Sequence, residues 1–237
     1  MRVRCMAPVC VVALLGHSAR CYPPPMPHSG TLSVRDLRRP VEDDAAVELL
    51  TDAFLDFPAM RVLVGHDDDA RSRLRRLFVM ELDPSSPVEA LAAELDGRVV
   101  GALTYLDAPD CSSVSAGRII GFMRIAGPRV VRAMRMFGRI ERAHPRSAHR
   151  HLPSVGVSPG AQSQGVGEAL MDAFHERCDR DGKTAYLETI RWSDPAKPSL
   201  ERFYGRLGYV VADVVPMTEE WAALTMIRSV PPGGATS

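Results

Sequence analysis

The residues whose types and spacing best suit chemistry lie at 154–174, where a short apolar run precedes a glycine-containing turn. Residues 154–157 (Ser-Val-Gly-Val) resemble a strand end, and residues 158–160 (Ser-Pro-Gly) then redirect the backbone. Residues 162–167 (Gln-Ser-Gln-Gly-Val-Gly) lead into a helical pattern with one apolar face. A helix N-terminus in this context binds anions, because its first amides lack partners and its dipole is positive there. The stretch predicts a phosphate or pyrophosphate site; the alternative is a tight turn whose glycines serve packing alone.

Two better-known phosphate motifs do not fit this stretch. A P-loop requires Gly-Lys-Ser or Gly-Lys-Thr at the start of the helix, and residues 158–167 contain no such triplet. A dinucleotide fingerprint requires Gly-x-Gly-x-x-Gly, and the pair Gly165 and Gly167 is not followed by the third glycine. Nucleotide triphosphates and dinucleotides are therefore not the predicted ligands.

A different motif does fit. The Gln-x-x-Gly-x-Gly pattern of residues 162–167, placed after Val-Gly-Val, resembles the acetyl-CoA-binding motif of the GNAT N-acyltransferase superfamily. A second pattern, Phe-Tyr-x-x-x-Gly-Tyr at residues 203–209, is similar to the C-terminal signature of that superfamily, and the two together cover residues 152–211. The resemblance implies acetyl-CoA as acyl-donor cosubstrate, no metal, and cofactor binding by Val155, Gly156, Val157, Gln162, Ser163, Gln164, Gly165, Val166 and Gly167.

The resemblance also implies the reaction, an N-acetyl transfer in which a primary amine attacks the thioester directly within a ternary complex. The leaving thiolate has a pKa near ~8.5 by analogy with cysteine, and Tyr204 is the phenol that the resemblance implies protonates it. A backbone amide of the fourth strand near Val157 would hold the oxyanion. The alternatives are that Tyr204 only packs on its helix, and that the chain is a catalytically silent acyl-CoA-binding sensor.

The general base is not determined by the resemblance. An alkyl ammonium with a pKa near ~10 must lose a proton before it can attack. Some relatives use a glutamate in the fourth strand, but residues 152–157 contain no carboxylate. We rank Glu188 first, and His149 and His151 second, because histidine titrates in the useful range. The alternatives are a strand carboxylate paired with an arginine, and histidines that are exposed or hydrogen-bonded.

One departure from the superfamily pattern concerns the cofactor. An asparagine commonly precedes the Phe-Tyr helix in the superfamily and contacts pantetheine, but residues 191–202 contain none. Ser193 and Ser199 are the candidates for a substitute contact.

A sheet and helices must bring these residues together. The resemblance implies an α/β (α+β) GNAT acyl-CoA N-acyltransferase fold, with a mixed, mostly antiparallel central sheet, helices on both faces and a split between the fourth and fifth strands. Residues 96–97 (Asp-Gly), between two apolar runs, predict a β-hairpin with a type I′ turn. We expect Phe57-Pro58 to end the first helix. Further patterns predict strands at residues 32–37, 184–190, 210–215 and 222–227, and helices after Pro40 and from residues 67, 166 and 199.

Residues 111–150 form a basic insertion. Nine arginines there face almost no acid, and apolar residues are interleaved with them. Gly127-Pro128 divides the insertion into two predicted helices. Three interpretations are open: a lid whose arginines meet the coenzyme's phosphates or an acidic substrate, a surface for anionic lipid, and a solvated charged face over a packed apolar stripe.

Length and composition exclude several other functions. The chain of 237 residues carries 29 basic and 29 acidic side chains, so its net charge does not support nucleic-acid binding. No apolar run approaches the roughly 20 residues that span a bilayer, and we expect no membrane contact. Five cysteines without metal spacing suit a reducing compartment, which together with the need for acetyl-CoA predicts a cytoplasmic protein.

A single domain is expected over residues 28–237. Residues 1–27 are interpreted as a disordered leader, or as the product of an upstream start codon with the true start at Met26; a signal peptide is the competing interpretation. The expected partners are acetyl-CoA and an amine acceptor that the sequence does not identify, with a homodimer left open.

Overall fold

The computed structural model of the protein describes residues 30–37, 44–109 and 116–231. The predicted leader, Pro40 and the first residues of the basic insertion lie outside these ranges. The described strands are β1 (Leu32–Asp36), β2 (Glu89–Leu95), β3 (Arg98–Ala108), β4 (His149–Val157), β5 (Ala185–Trp192), β6 (Val210–Pro216) and β7 (Trp221–Arg228). The described helices are α1 (Asp44–Phe54), α2 (Pro58–Val64), α3 (Ala70–Glu81), α4 (Ala116–Ala126), α5 (Val130–Ala143), α6 (Val166–Arg180) and α7 (Glu201–Arg206).

The described strands form one sheet in the order β1-β2-β3-β4-β5-β7-β6. Every neighbouring pair is antiparallel except β4 and β5, which are parallel. β4 and β5 pair over only three positions, from Arg150 to Leu152 of β4, and they are unpaired beyond Leu187 of β5 although both strands continue. The predicted split between the fourth and fifth strands is confirmed.

Helices cover both faces of the sheet, as predicted. Residues of α1 to α5 form one core, in which Leu50 and Phe78 are almost completely buried, and we call this side the α1 face. Residues of α6 and α7 form a second core around Phe174, and we call that side the α6 face. Consecutive residues of β2 contribute to different cores, Leu91 to the core of the α6 face and Ala92 to that of the α1 face, because successive side chains of a strand point to opposite faces of the sheet.

One turn and one helix boundary test the local sequence predictions. Asp96 and Gly97 have positive φ angles of 51° and 75°, as a type I′ hairpin turn requires, and β2 and β3 are antiparallel. Phe57-Pro58 was expected to end the first helix; α1 ends three residues earlier, at Phe54, and Pro58 begins a further helix, α2, that the sequence did not predict. Proline suits the first position of a helix, where its missing amide would have had no partner.

The described part of the basic insertion forms α4 and α5, joined by a 3-10 turn at Gly127–Arg129. Phe137 and Ile140 of α5 are buried in the core of the α1 face. Several of the arginines have protein partners. Arg129 is 2.7 Å from Asp67, Arg139 donates to backbone carbonyls at the end of β6, and Arg150 pairs with Asp107 and Asp181 at 2.9 and 2.8 Å. The packed apolar stripe is therefore present. Among the described residues, no helix combines the length and apolar character that crossing a bilayer requires.

Candidate active site

The loop before α6 leaves backbone amides without helical partners. Gly165 at the N-cap position has a φ of 79°, a left-handed conformation that glycine adopts without strain. The Ala169 amide donates to the Gly165 carbonyl at 2.9 Å, so the amides of residues 166–168 have no acceptor within the helix. The Gln162 side-chain amide donates to the Val157 carbonyl at 3.4 Å and connects the loop to the end of β4. These helix amides are the groups that an anion would bind.

A glycine in β3 lets α6 approach the sheet closely. A Cβ atom at Gly101 would lie 2.8 Å from Val166 Cγ1 and 2.9 Å from Leu170 Cδ1. Gly101 also pairs with Val157, the last residue of β4. The N-terminus of α6 is therefore positioned beside the end of β4 by a contact that any larger residue would disturb.

A cavity of about 400 Å³ lies between the N-terminus of α6 and α7. Arg202, Phe203 and Arg206 line it from α7, and Glu168 is its one acidic residue. Two guanidinium groups therefore lie opposite the positive end of a helix dipole, which favours a phosphorylated ligand. Six of the predicted cofactor residues line this cavity: Val157, Gln162, Ser163, Gly165, Val166 and Gly167.

The other three predicted cofactor residues point elsewhere. Val155 is fully buried in the core of the α6 face. Gly156 lies against α1, where a Cβ atom would be 3.0 Å from the Cβ of Ala53. The Gln164 side chain is exposed and donates to the Gly160 carbonyl at 2.8 Å. Contact with a ligand in the cavity would therefore have to come from the backbone of these residues.

A second cavity, of about 830 Å³, lies on the other flank of α7. It is lined by residues 195–198, by Tyr209 and by the start of β6. The smaller cavity is the better candidate for a phosphate, because it alone of the two includes the N-terminal amides of a long helix.

Tyr204 of α7 is fully buried next to the smaller cavity's Phe203. Its ring lies edge-on to Phe203 and Tyr209, with centroid distances of 5.2 and 5.7 Å. Its hydroxyl has no hydrogen-bond partner in the described part of the chain. Burial, and to a lesser degree the nearby Tyr209, raises the pKa of Tyr204 well above its ordinary value. The hydroxyl therefore stays protonated and is available as a donor.

The two kinds of base candidate, carboxylate and histidine, form one hydrogen-bonded pair. His151 Nε2 lies 2.7 Å from Glu188 Oε2, and both side chains are 3% exposed. His151 belongs to the paired part of β4, whereas Glu188 is the first residue of β5 beyond the last paired position, Leu187. The pair consequently bridges the two strands where the split begins. His149 is not part of it, because its Nδ1 donates to the Ser147 carbonyl at 2.8 Å.

A third histidine, which the sequence did not single out, completes this group. His144 Nε2 is 3.5 Å from His151 Nδ1, and His144 Nδ1 is 3.3 Å from the Pro145 carbonyl oxygen. Burial, and to a lesser degree the neighbouring His151, lowers the pKa of His144 to about 4. The donor atoms of His144, His151 and Glu188 lie within 4.8 Å of one another, so they are the described residues best placed for a metal. The expectation of no metal stays a prediction.

Glu81 at the end of α3 is a second buried carboxyl that the sequence analysis did not identify. It accepts a hydrogen bond from Thr104 Oγ1 at 2.8 Å and is 3% exposed. Burial raises the pKa of Glu81 to about 7, against opposing effects of Thr104, Arg118 and His151. The sequence did contain a signal, because Glu81 continues the apolar stripe of α3 one helical turn beyond Phe78.

The family follows from comparison with known proteins. Residues 46–209, more than half of the chain, match the Acetyltransferase (GNAT) family. The chain belongs to this family. It is an acetyl-CoA-dependent N-acetyltransferase, which confirms the predicted enzyme class and fold.

Solved structures share the fold of this GNAT acetyltransferase. Histone acetyltransferase HPA2 and related acetyltransferase from Corynebacterium glutamicum is 20% identical with a TM-score of 0.61, over 85% of this chain and 98% of that one. The aminoglycoside 6'-N-acetyltransferase from Enterococcus faecium is 14% identical with a TM-score of 0.51, over 84% and 98%. An aminoglycoside 6'-N-acetyltransferase complexed with coenzyme A is 15% identical with a TM-score of 0.51, over 84% and 98%.

The GNAT acetyltransferase has one of its two candidate serines at the cavity. Ser199 lines the cavity, and its hydroxyl accepts from the Glu201 amide at 3.2 Å. Ser193 instead donates to the Glu219 carbonyl at 2.6 Å. Arg191 of β5 pairs with Glu201 at 2.6 and 3.0 Å, which ties the start of α7 to the strand beside the split. Ser199 is therefore the better placed of the two to replace the missing asparagine.

Proposed function

We propose that this enzyme transfers the acetyl group of acetyl-CoA directly to a primary amine in a ternary complex, with Glu188 and His151 as the base and Tyr204 as the acid. The observation that carries the proposal is the buried His151–Glu188 pair at the start of the split. A covalent route has less support among the described residues, since burial raises the pKa of Cys178 to about 12 and keeps it a thiol.

Cofactor binding is assigned to the smaller cavity. The amides of residues 166–168 and the α6 dipole favour a pyrophosphate, and Arg202 and Arg206 add positive charge from α7. Val155 and Gly156 contribute backbone groups, because their side-chain positions face the core and α1.

The proton count of the reaction assigns a task to each group. The amine lone pair attacks the carbonyl carbon, the C–N bond forms, and the carbonyl π electrons move to oxygen. Collapse restores the C=O bond and breaks the C–S bond, and sulfur leaves with the bonding pair. An acceptor that arrives as an ammonium ion loses two protons while the thiol gains one, so one proton is released per turnover. Glu188 and His151 take protons from nitrogen, and Tyr204 donates to sulfur.

Two features suit the transition state. Beyond Leu152 the edge of β4 that faces β5 has no strand partner, so a backbone amide there, near Val157, would stabilise the oxyanion. Loss of a comparable donor costs about 3 kcal/mol in other enzymes. Burial that keeps Tyr204 protonated would also raise the pKa of a thiol in the same surroundings, so the raised pKa of the phenol does not by itself prevent proton transfer to sulfur.

A thiol-release assay with acetyl-CoA tests this function across a panel of polyamines, amino acids, aminoglycosides and peptides. Glu188→Gln should reduce kcat by about 10²-fold or more with the best acceptor, because it removes the proton acceptor. Glu89→Gln is the matched control, since Glu89 also accepts one hydrogen bond, from Tyr105 at 2.7 Å, but lies away from the split. Binding of acetyl-CoA without thiol release for any amine would refute the proposal and favour the silent sensor.

A further inference from the structure

Three histidines and a glutamate meet where β4 and β5 separate. His149 and His151 are two residues apart on β4, so their side chains point to the same face of the sheet. The ring of His144 packs against both, with centroid distances of 4.7 and 5.0 Å. His151 Nε2 in turn lies 2.7 Å from Glu188 Oε2. Imidazole nitrogens are the ligands that zinc and other late transition metals accept readily.

Two of these histidines donate to backbone carbonyls. His144 Nδ1 lies 3.3 Å from the Pro145 carbonyl oxygen, and His149 Nδ1 donates to that of Ser147 at 2.8 Å. A carbonyl oxygen can only accept, so in both neutral rings the proton is on Nδ1 and the Nε2 atom has a lone pair. His149 Nε2 is buried and has no hydrogen-bond partner within the described ranges. Its lone pair is therefore available to a ligand.

The Glu188 carboxylate determines the tautomer of His151 in the same way. The carboxylate only accepts, so the proton in the 2.7 Å contact belongs to His151 Nε2, and His151 Nδ1 has the lone pair. His151 Nδ1 and His144 Nε2 are 3.5 Å apart, so two lone pairs face each other with no proton between them. A cation bound to both nitrogens would remove this repulsion. Zn–N bonds of about 2.0–2.1 Å place two tetrahedral ligands about 3.4 Å apart, close to the observed distance.

We propose that these residues form a site for zinc or a related late transition-metal ion, in which His144 Nε2 and His151 Nδ1 bind the ion and Glu188 orients His151. A metal-binding histidine usually donates its other N–H to a carboxylate or a carbonyl, and all three histidines have such an acceptor. His149 Nε2 is the third ligand, after a rotation of its side chain, because it lies outside the group of donor atoms within 4.8 Å of one another. Water completes the tetrahedron. The site departs from the prediction of no metal.

The surroundings favour a divalent cation at this position. Glu188 contacts His151 directly, and the buried Glu81 interacts with His151 electrostatically from α3. The ring of Tyr186 packs against all three histidines with centroid distances of 4.6 to 5.2 Å, which restricts their orientations. His144 is only half-buried and gives the ion a route from solvent.

The site takes one element from the proposed function, the carboxylate form of Glu188. In the metal-bound form His151 has no lone pair left to accept a proton, so Glu188 alone acts as the base. In the metal-free form both groups are available. Metal binding and proton transfer to His151 therefore exclude each other.

Three variants and a control test the ligand assignment. His144→Phe keeps an aromatic ring but removes a ligand, and His144→Gln is a second variant with a polar side chain. Glu188→Gln keeps an oxygen that can accept from His151 Nε2 but lacks the charge. The matched control is His175→Phe in α6, because His175 is also buried and also makes one side-chain hydrogen bond, to Tyr209 at 3.1 Å. Circular dichroism establishes that each variant is folded.

The first readout is metal titration of the chelator-treated full chain without acetyl-CoA or amine. The wild type should bind one zinc ion, and cobalt should give the visible absorption of a tetrahedral ion without the near-ultraviolet band of a cobalt–thiolate bond, which excludes the five cysteines as ligands. Both His144 variants should lose this site, whereas Glu188→Gln should weaken it by about 10–100-fold. His175→Phe should bind as the wild type does. Magnesium should not compete, because it prefers oxygen ligands.

The second readout is the tautomers of the metal-free wild type, from nitrogen-15 NMR of labelled histidines. His144 and His149 should have the proton on Nδ1, and His151 should have it on Nε2. Added zinc should change the signals of His144 Nε2 and His151 Nδ1. A proton on His151 Nδ1 in the metal-free protein would overturn the site, because that nitrogen would have no lone pair for a metal.

The titration has equally definite contrary results. Zinc binding by the folded His144 variants equal to that of the wild type would overturn the site, as would a cobalt–thiolate band as the only signal or loss of binding in His175→Phe. Zinc binding without thiol release for any amine would refute the proposed function and leave the site standing. Thiol release by a wild-type protein that binds no zinc would refute the site alone.

Discussion

Replacement of Tyr204 by phenylalanine should change stability and activity in opposite directions. The Tyr204 hydroxyl is fully buried and has no hydrogen-bond partner among the described residues. An unsatisfied buried hydroxyl costs about 1–3 kcal/mol relative to an apolar group of the same shape. We therefore expect the free energy of unfolding of Tyr204→Phe to stay unchanged or to rise by up to about 2 kcal/mol. For a domain of this size, each 1 kcal/mol corresponds to about 2–4 °C in Tm.

The same substitution removes the proposed acid. Loss of a general acid lowers the rate by about 10²- to 10⁴-fold, which corresponds to about 3–5 kcal/mol of activation free energy. Acetyl-CoA affinity should change little, because the phenol is assigned to protonate the sulfur as it leaves. A stable protein that binds the donor but turns over slowly is the expected phenotype.

Tyr209→Phe is the matched control for this prediction. Tyr209 is equally buried on the same core, but its hydroxyl has a partner, His175 Nε2, at 3.1 Å. Its removal leaves that nitrogen unpaired and should lower the free energy of unfolding by about 1–2 kcal/mol, with turnover unaffected.

Thermal unfolding by circular dichroism, calorimetric titration with acetyl-CoA and the thiol-release assay measure the three quantities. Wild-type turnover in Tyr204→Phe would show that the hydroxyl is not the acid. A fall in Tm as large as that of Tyr209→Phe would show instead that Tyr204 has a hydrogen-bond role in the fold.

Two further predictions concern residues on either side of the sheet. Gly101→Ala should raise KM for acetyl-CoA several-fold and lower the free energy of unfolding by about 1–3 kcal/mol. The reason is that the added Cβ would overlap Val166 and Leu170 and displace the N-terminus of α6. A wild-type KM would show that the close contact of Gly101 with α6 does not position the loop. Glu81 has a folded-state pKa of about 7, above the ordinary value of 4.5, because the side chain is buried. Between these two pH values the folded protein keeps a proton that the unfolded chain has lost, so the free energy of unfolding falls by about 3 kcal/mol as the pH rises through that window. Glu81→Gln should flatten this dependence between pH 4.5 and about 7 in urea unfolding. An equally steep curve would assign the dependence to other groups.

Features carried by contiguous residues were predictable from the sequence. The turn at Asp96 and Gly97, the helix of α6 and the unpaired amides of residues 166–168 depend on local backbone preferences and on periodicity. Pro58 shows the limit of local interpretation, because a proline can either end a helix or begin one, and the sequence alone did not show that Pro58 begins α2.

The base and its surroundings depended on strand register. His151 and Glu188 are 37 residues apart in sequence, and they meet because the parallel register of β4 and β5 places His151 opposite Tyr186, two residues before Glu188. A register shift between β3 and β4 near Thr104 adds an extra residue to β4, so His151 and Ser154, although three residues apart, both act on Glu81. A shift of one residue reverses which face a side chain occupies, and no local pattern specifies it.

The sequence by itself determined the family, the acetyl donor and the loop assigned to bind it, because backbone amides after a strand and a glycine turn need only a short contiguous segment. Tertiary structure alone decided which titratable groups meet at the split, since Glu81, His144, His151 and Glu188 come from separate elements. Their protonation depends on burial and on neighbouring charges, and these exist only once the sheet has formed.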